Sequence, residues 1–298
     1  MPKLLCKHNV AFSVFLATIL SFATSPAVAK VIKEERSLYR NILVDEHGER
    51  RCLKFSVKRR TSSQSCINLK QPNKLVFDYT KFMMASLVFH AKPERVLIIG
   101  LGGGTLSNVL LDMYPNIEID NVEIDPAVVR VARQYFNFIE TGNVKSHTQD
   151  GRIFIKRALL KSQKYDAIFL DAFNGEYIPE HLLTKEFLQE AQALLSADGM
   201  LVANTFSSST LYDHESATYH AVFGGFYAIE KSFKRGNRVI IVNMDKTVNT
   251  DENVELLAPA LGKFDVDVAD ILSLLDYHQP TDSEARVLTD QYSPANLL

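Results

Sequence analysis

Only three of the 298 residues are cysteine, at positions 6, 52 and 66. That excludes a small scaffold held by dense disulfides. Glycine (13) and proline (10) are too few for a collagen-like or low-complexity chain. Neither sign of charge prevails, with 33 Lys+Arg against 35 Asp+Glu and a net charge of -2. Such a balance offers nothing to a nucleic acid or an anionic membrane surface, and neither is expected as a partner. The apolar run Val10–Phe22 spans 13 residues, too few to cross a bilayer comfortably. What is present, 46% hydrophobic and 23% charged residues, describes an ordinary globular chain. It is long enough for one large domain or two small ones around a real core.

Residues 1–29 read as an export signal. Lys3 and Lys7 precede the apolar run, and Ala27-Val28-Ala29 after Pro26 is a small-residue cleavage site. Cleavage after Ala29 leaves 269 residues of net charge -4, periplasmic or secreted, with no stable membrane span. An uncleaved membrane anchor is the alternative. Cleavage removes Cys6 and leaves Cys52 and Cys66. A hairpin turning at Lys58-Arg59-Arg60 sets these two opposite each other, either as a disulfide or as two half-buried thiols.

The period of the hydrophobic pattern divides the remainder. Residues 36–77 alternate apolar and polar, with strands expected at Tyr39–Val44, Cys52–Val57 and Ser65–Leu69. The basic residues Arg50, Arg51, Lys54, Lys58, Arg59 and Arg60 fall there, as a solvated hairpin face rather than a polyanion site. Asp78 is expected to cap a helix through Phe82, Met83, Met84, Leu87 and Val88. From Arg95 strands and helices alternate. Strands are expected at Val96–Ile99, Ile117–Ile124, Val144–His147, Tyr165–Leu170 and Met200–Phe206, with a closing pair at Tyr227–Lys231 and Arg238–Met244. Asp125-Pro126 and Thr184 start helices, and Gly199 is placed just past the end of one. The last 50 residues are expected to hold one short helix near Val266–Leu275 and a tail. The fold class is α/β, a mostly parallel Rossmann-like sheet beside a small antiparallel β domain. The expected divisions are 1–29 (signal), 30–80 (β domain), 81–245 (Rossmann-like domain) and 246–298 (helix and tail).

Gly100, Gly102, Gly103 and Gly104 stand between the first strand and its helix, where a ligand can approach the helix N-terminus. Glu123 ends the second strand, where a carboxylate accepts both hydroxyls of a ribose. Asp150-Gly151 follows the third strand and can meet an adenine amino group. Asp171 ends the fourth strand at the same edge. Thr105 stands where a dinucleotide fingerprint wants Gly or Ala. The carboxylates suit a cationic nucleoside ligand, such as an S-adenosyl sulfonium compound, better than a pyrophosphate. His181 reads as a packing or capping residue rather than an acid or base. The histidines show no ligand spacing, and no metal site is expected.

Over Ser37 to Met244 the chain resembles the spermidine synthase (polyamine aminopropyltransferase) family. The matching segments are VLIIGLGGGTLSNVL (96–110), NVEIDPAVVRVARQYF (121–136), QDGRIFI (149–155) and LDAFNGEYIPEHLLTKEF (170–187). The last of these, with LTDQYSPANLL (288–298), is most similar to bacterial members fused to transporter segments. The resemblance implies decarboxylated S-adenosylmethionine as co-substrate, no tightly bound cofactor, and putrescine as acceptor. It places the ribose on Glu123, the adenine on Asp150 and Gly151, and the reacting end at Asp171. Gln64 and Tyr79 match positions lining the two substrate sites.

Four positions depart from the family pattern. Gly103 stands for an Asp in the glycine loop, Thr80 for the His after Tyr79, Arg40 for a first-strand Gln, and Asn174 for a catalytic Asp. An amide cannot take a proton at neutral pH, which leaves Asp171 and Glu176 as substitutes, with Asp171 expected as the base. Arg40 is expected to repel a dication. The nucleoside half of the site is kept and the diamine half altered. The leading expectation is aminopropyl transfer. The alternatives are methyl transfer from S-adenosylmethionine and a non-catalytic exported protein binding a nucleoside or polyamine. Either way the expected partners are small molecules, with a homodimer left open.

Overall fold

The computed structural model describes residues 29–57, 60–173, 177–231, 236–280 and 285–292. Residues 1–28 of the expected export signal, Lys58 and Arg59 of the expected hairpin turn, and Asn174 and Glu176 lie outside them.

Four strands open the chain: β1 (Lys30–Arg36), β2 (Asn41–His47), β3 (Arg50–Val57) and β4 (Arg60–Asn68). They form an antiparallel sheet in the order β1-β2-β3-β4. β1 was not expected, because KVIKEER sits on an edge and its charges blur the alternation. One face of this sheet presents Ile42, Val44, Leu53, Phe55 and Ile67 to a helix of the larger unit. The β3–β4 register sets Cys52 directly against Cys66, and the two are joined in a disulfide. Two basic residues of β3 are neutralised in place, Arg51 by Glu46 and Lys54 by Asp45. That pairing fits the solvated hairpin face.

The larger unit is an eight-stranded sheet. Its elements in chain order are α1 (Asp78–Ala85), β5 (Arg95–Ile99), α2 (Thr105–Met113), β6 (Glu118–Glu123), α3 (Pro126–Tyr135), β7 (Val144–Thr148), α4 (Gly151–Leu160) and β8 (Tyr165–Leu170). There follow α5 (Lys185–Leu194), β9 (Leu195–Phe206), α6 (Tyr212–Phe223), β10 (Phe226–Glu230), β11 (Asn237–Asn243), α7 (Thr250–Gly262), α8 (Val268–Leu272) and β12 (Leu275–His278). The order is β12-β10-β11-β9-β8-β5-β6-β7. Neighbours from β9 to β7 are parallel, and β11, β10 and β12 join antiparallel. The chain winds outward from β5 to β7, then returns to β8 on the other side of β5. The crevice at the carboxyl ends of β5 and β8 is therefore a topological switch point, where sheets of this kind hold ligands. The helices bury two cores, one on each face of the sheet.

Two expected starts are seen. Asp125 accepts from the Ala127 amide with Pro126 at the first helical position, and Thr184 accepts from the Phe187 amide. Three expectations are corrected. Asp78 is the first residue of α1 rather than its cap, and its carboxylate pairs with Lys231 at 2.8 Å instead. Gly199 lies inside β9, because Leu195 is already extended and the strand starts there. The C-terminal region carries two helices and a strand rather than one helix. Only Leu257 and Leu261 of α7 are buried and Pro259 interrupts it, so its apolar stripe was too thin to see. α6 also escaped notice, because its buried face includes Glu215 and Thr218.

Candidate functional site

The first βα turn is shaped by contact. Gly100 has φ +95, and a Cβ there would come within 2.3 Å of the Asp171 carbonyl oxygen. Only glycine lets β5 and β8 end side by side. The Asp171 amide in turn donates to the Ile99 carbonyl. This pinches the strand ends together and aims the Asp171 side chain along the crevice.

Above the crevice lies a cavity of about 540 Å³. Its floor is the switch point. Its roof comes from β4 (Ser63, Gln64, Ser65) and α1 (Asp78, Tyr79, Thr80). The small β sheet thus completes the site. Of the residues the sequence singled out, Gly100, Gly102, Glu123, Asp150, Gly151, Asp171, Gln64 and Tyr79 all line this one cavity. Gly103 and Gly104 do not. A Cβ on Gly103 would lie 2.6 Å from Ser65 Oγ and against Phe136, and one on Gly104 would strike Phe138. These two glycines pack the turn against its own protein. With the wall this close, an Asp at position 103 has no room unless Ser65 and Phe136 shift. Thr80, at the other altered position, is buried and donates to the Phe77 carbonyl.

Three carboxylates mark the cavity from end to end. Glu123 accepts from the Leu101 amide on one oxygen (3.1 Å) and from the Asp125 amide on the other (3.0 Å). Burial pushes its acidity weaker, opposed by those amides and by the positive charge of Arg40. Each oxygen keeps a lone pair for a further donor. Asp150 spends one oxygen capping α4 through the Ile153 amide (2.9 Å) and meets His181 Nε2 with the other (2.8 Å). The His181 bond leads the effects that hold Asp150 below the usual carboxylate range.

Asp171 is the most perturbed. Burial raises its pKa to about 7, with the Glu123 charge adding to the rise. Asn204 donates to one of its oxygens at 2.8 Å, and Asn237 fixes the Asn204 amide by donating to its oxygen at 2.8 Å. Tyr79 Oη approaches the other oxygen at 3.5 Å and the Gln64 carbonyl at 3.3 Å. Burial, with the Asp171 charge, lifts the Tyr79 phenol well above its usual range, so it stays a donor. A carboxylate near neutral pKa, oriented on one oxygen and loosely held on the other, is equipped to take a proton.

Arg40, the charge expected to repel a dication, lines the cavity. Its guanidinium stacks over the Phe55 ring at 4.3 Å, donates to the Phe173 carbonyl at 3.1 Å and eases the burial of Glu123. It touches both the Glu123 side of the cavity and the segment that follows Asp171. Asn204 and Asn237 were missed by sequence reasoning. The signal was a polar residue inside the apolar run of β9, read only as part of a strand. Among the described residues no cluster of three or more His, Cys, Asp or Glu could hold a metal ion, and no helix is long and apolar enough to cross a membrane.

Comparison with known proteins agrees with this geometry. Residues 77–232 match the spermine/spermidine synthase domain. A polyamine aminopropyltransferase of Vibrio vulnificus is 49% identical over 95% of this chain and 96% of its own. The chain belongs to the spermine/spermidine synthase family. A probable spermidine synthase of Corynebacterium glutamicum, 20% identical, superposes with a TM-score of 0.67 over 88% of this chain and 97% of its own. Human methyltransferase-like protein 13, solved with SAH, is 24% identical with a TM-score of 0.54 over 75% of this chain and 100% of its own. These two share the fold. The fold is therefore the α/β type expected, with the small antiparallel sheet at its amino end.

Proposed function

We propose that the chain transfers an aminopropyl group from decarboxylated S-adenosylmethionine to a polyamine such as putrescine, with Asp171 as base. By family it is a transferase of the polyamine aminopropyltransferase type. The observation that carries the assignment of roles is the spacing of unlike carboxylates in one cavity. Glu123, held by two backbone amides, suits the ribose. Asp150 suits the base. Asp171, near pKa 7 and attended by Tyr79 and Asn204, suits an amine that must lose a proton. The amine's proton passes to Asp171. Its freed lone pair attacks the methylene carbon beside the sulfonium. The new N–C bond forms as the C–S bond breaks, and the electron pair stays on sulfur, leaving methylthioadenosine. Asn174, which stands for a catalytic Asp in the family resemblance, and Glu176 follow Asp171 in the chain, and both are proposed to serve the acceptor end.

Calorimetry with methylthioadenosine, S-adenosylmethionine and its decarboxylated form tests the nucleoside half. Failure of all three to bind a folded sample contradicts it. The pH dependence tests the base. A group raised to about 7 must be ionised to act, so kcat/KM should climb as pH rises through about 7. A profile flat from pH 6 to 8 would remove Asp171 from the role.

We also propose export with cleavage after Ala29. The charged, apolar and small-residue segments of residues 1–29 support this, as does the Cys52–Cys66 disulfide, since such bonds persist in oxidising compartments. N-terminal sequencing of protein recovered from cells should start at Lys30; an intact Met1 start would refute it.

A further inference from the structure

We propose that residues 288–292 are a working part of the site, in which Asp290 acts through Arg152 as a positioning residue for the turn that walls the nucleobase end of the cavity. The inference rests on the reading of Asp150 and Gly151 as the receivers of the nucleobase. The turn is Glu180–Leu182, and with Pro179 it lines the same cavity as Asp150 and Gly151. His181 Nε2 stands 2.8 Å from the Asp150 carboxylate, so wall and receiver are in contact.

Arg152 follows Gly151 in α4 but is no part of the lining, and it is buried. A guanidinium carries five N–H groups, and here each has an acceptor. Two meet the Asp290 carboxylate as a fork, both at 2.7 Å. Two meet Glu190 of α5, at 2.8 and 3.0 Å. The last makes a longer contact, 3.5 Å, with the His181 carbonyl. The head group that grips Asp290, 138 residues away in the chain, therefore also supports the backbone of the turn.

The same segment holds the far end of the turn. Asp290 Oδ1 accepts from Thr184 Oγ1 at 2.8 Å, on the residue that caps α5, and the Asp290 amide donates to Glu186 at 3.0 Å. Leu288 is fully buried with Leu183 and Leu211. Its carbonyl accepts from the Lys185 amide (2.8 Å), and its amide donates to Thr218 Oγ1 on α6 (2.9 Å). Leu183 directly follows the turn, so the wall is fixed from behind at residue 181 and at its end by residue 183. Without the Asp290 carboxylate, two N–H groups of a buried guanidinium lose their acceptor, a costly state that Arg152 relieves by re-aiming. The turn then loses its fixed distance from Asp150. None of residues 288–292 lines the cavity, so an effect of Asp290 on a ligand arrives through Arg152 and the turn.

Calorimetric titration of methylthioadenosine, with steady-state kinetics on the same purified chains, tests this. Asp290→Ala should weaken methylthioadenosine binding about tenfold, the scale of one misplaced hydrogen bond, and raise the KM for decarboxylated S-adenosylmethionine by a like factor. Its kcat and its KM for putrescine should stay near wild type, because Asp171, Tyr79 and Asn204 are untouched. Asp290→Asn keeps an oxygen for Arg152 and should recover part of the affinity. Arg152→Lys cannot form the fork. It should match Asp290→Ala, and the double variant should lose little more than either alone. A clasp that only stabilises would lower the urea midpoint and leave affinity unchanged. That result in a folded Asp290→Ala overturns the proposal; should Asp290→Ala not fold, wild-type affinity in Asp290→Asn overturns it equally. A folded wild type that binds no methylthioadenosine overturns the reading of the nucleobase site instead.

Discussion

Asp171→Asn should lower kcat by about 10²- to 10⁴-fold, the usual yield of a positioned general base, while methylthioadenosine binding stays near wild type. The substitution keeps size and shape. It also keeps an oxygen for the Asn204 amide, whose present bond to Asp171 is 2.8 Å. What it removes is the group that accepts the proton. Asn174 cannot replace it, because an amide takes no proton at neutral pH. Burial of Asp171 and its repulsion by Glu123 place its pKa at about 7. The rise of kcat/KM with pH through that value should vanish in the variant along with the rate. A variant of near-normal kcat would show that another group takes the proton. Steady-state rates and calorimetry on the same preparation separate lost chemistry from lost binding.

Arg238→Met should destabilise the fold by about 3–5 kcal/mol, the cost of leaving one partner of a buried ion pair alone. Arg238 is fully buried and Glu215 is 3% exposed. The guanidinium meets the Glu215 carboxylate at 3.0 Å, donates to Ser216 Oγ (2.8 Å) and Thr205 Oγ1 (3.1 Å), and stacks 3.7 Å above the Tyr212 ring. It thereby fastens α6 to β9 and β11. With the cation gone, burial acts on Glu215 opposed by the Ser209 hydrogen bond and no longer by Arg238, and raises its pKa further. A carboxyl raised in the folded state is more protonated folded than unfolded, so its contribution to stability falls as pH rises. The deficit should therefore be smaller at pH 5 than at pH 8. Arg238→Met with Glu215→Leu should recover most of the loss, since neither charge is then stranded. Urea denaturation of the three chains measures this. A single variant within about 1 kcal/mol of wild type would mean that the pair contributes little.

The sequence made the βα alternation legible because each parallel strand is a continuous apolar run and each helix an apolar stripe. Asp125-Pro126 and Thr184 marked their helices for local reasons that tertiary packing did not override. α6 was hidden because the face it buries carries Glu215 and Thr218, and their partners, Arg238 for Glu215 and the Leu288 amide for Thr218, come from distant parts of the chain. β1 was hidden by its charges and α7 by Pro259. At the site, Glu123, Asp150 and Asp171 were legible because strand ends at the switch point have predictable positions. The distinction between Gly100 and Gly103 was not, since it depends on what stands opposite each glycine. Nor was the Asn237–Asn204–Asp171 chain, which joins three strands. Arg40 was read as a charge near the diamine. Its stacking on Phe55, its bond to the Phe173 carbonyl and its effect on Glu123 depend on tertiary packing that no local pattern shows.

The most direct measurement is product analysis of the purified chain incubated with decarboxylated S-adenosylmethionine and putrescine. Spermidine and methylthioadenosine are expected in equal amounts, formed by wild type and not by Asp171→Asn. Methylthioadenosine binding with no spermidine formed, or methyl transfer from S-adenosylmethionine in its place, would contradict it.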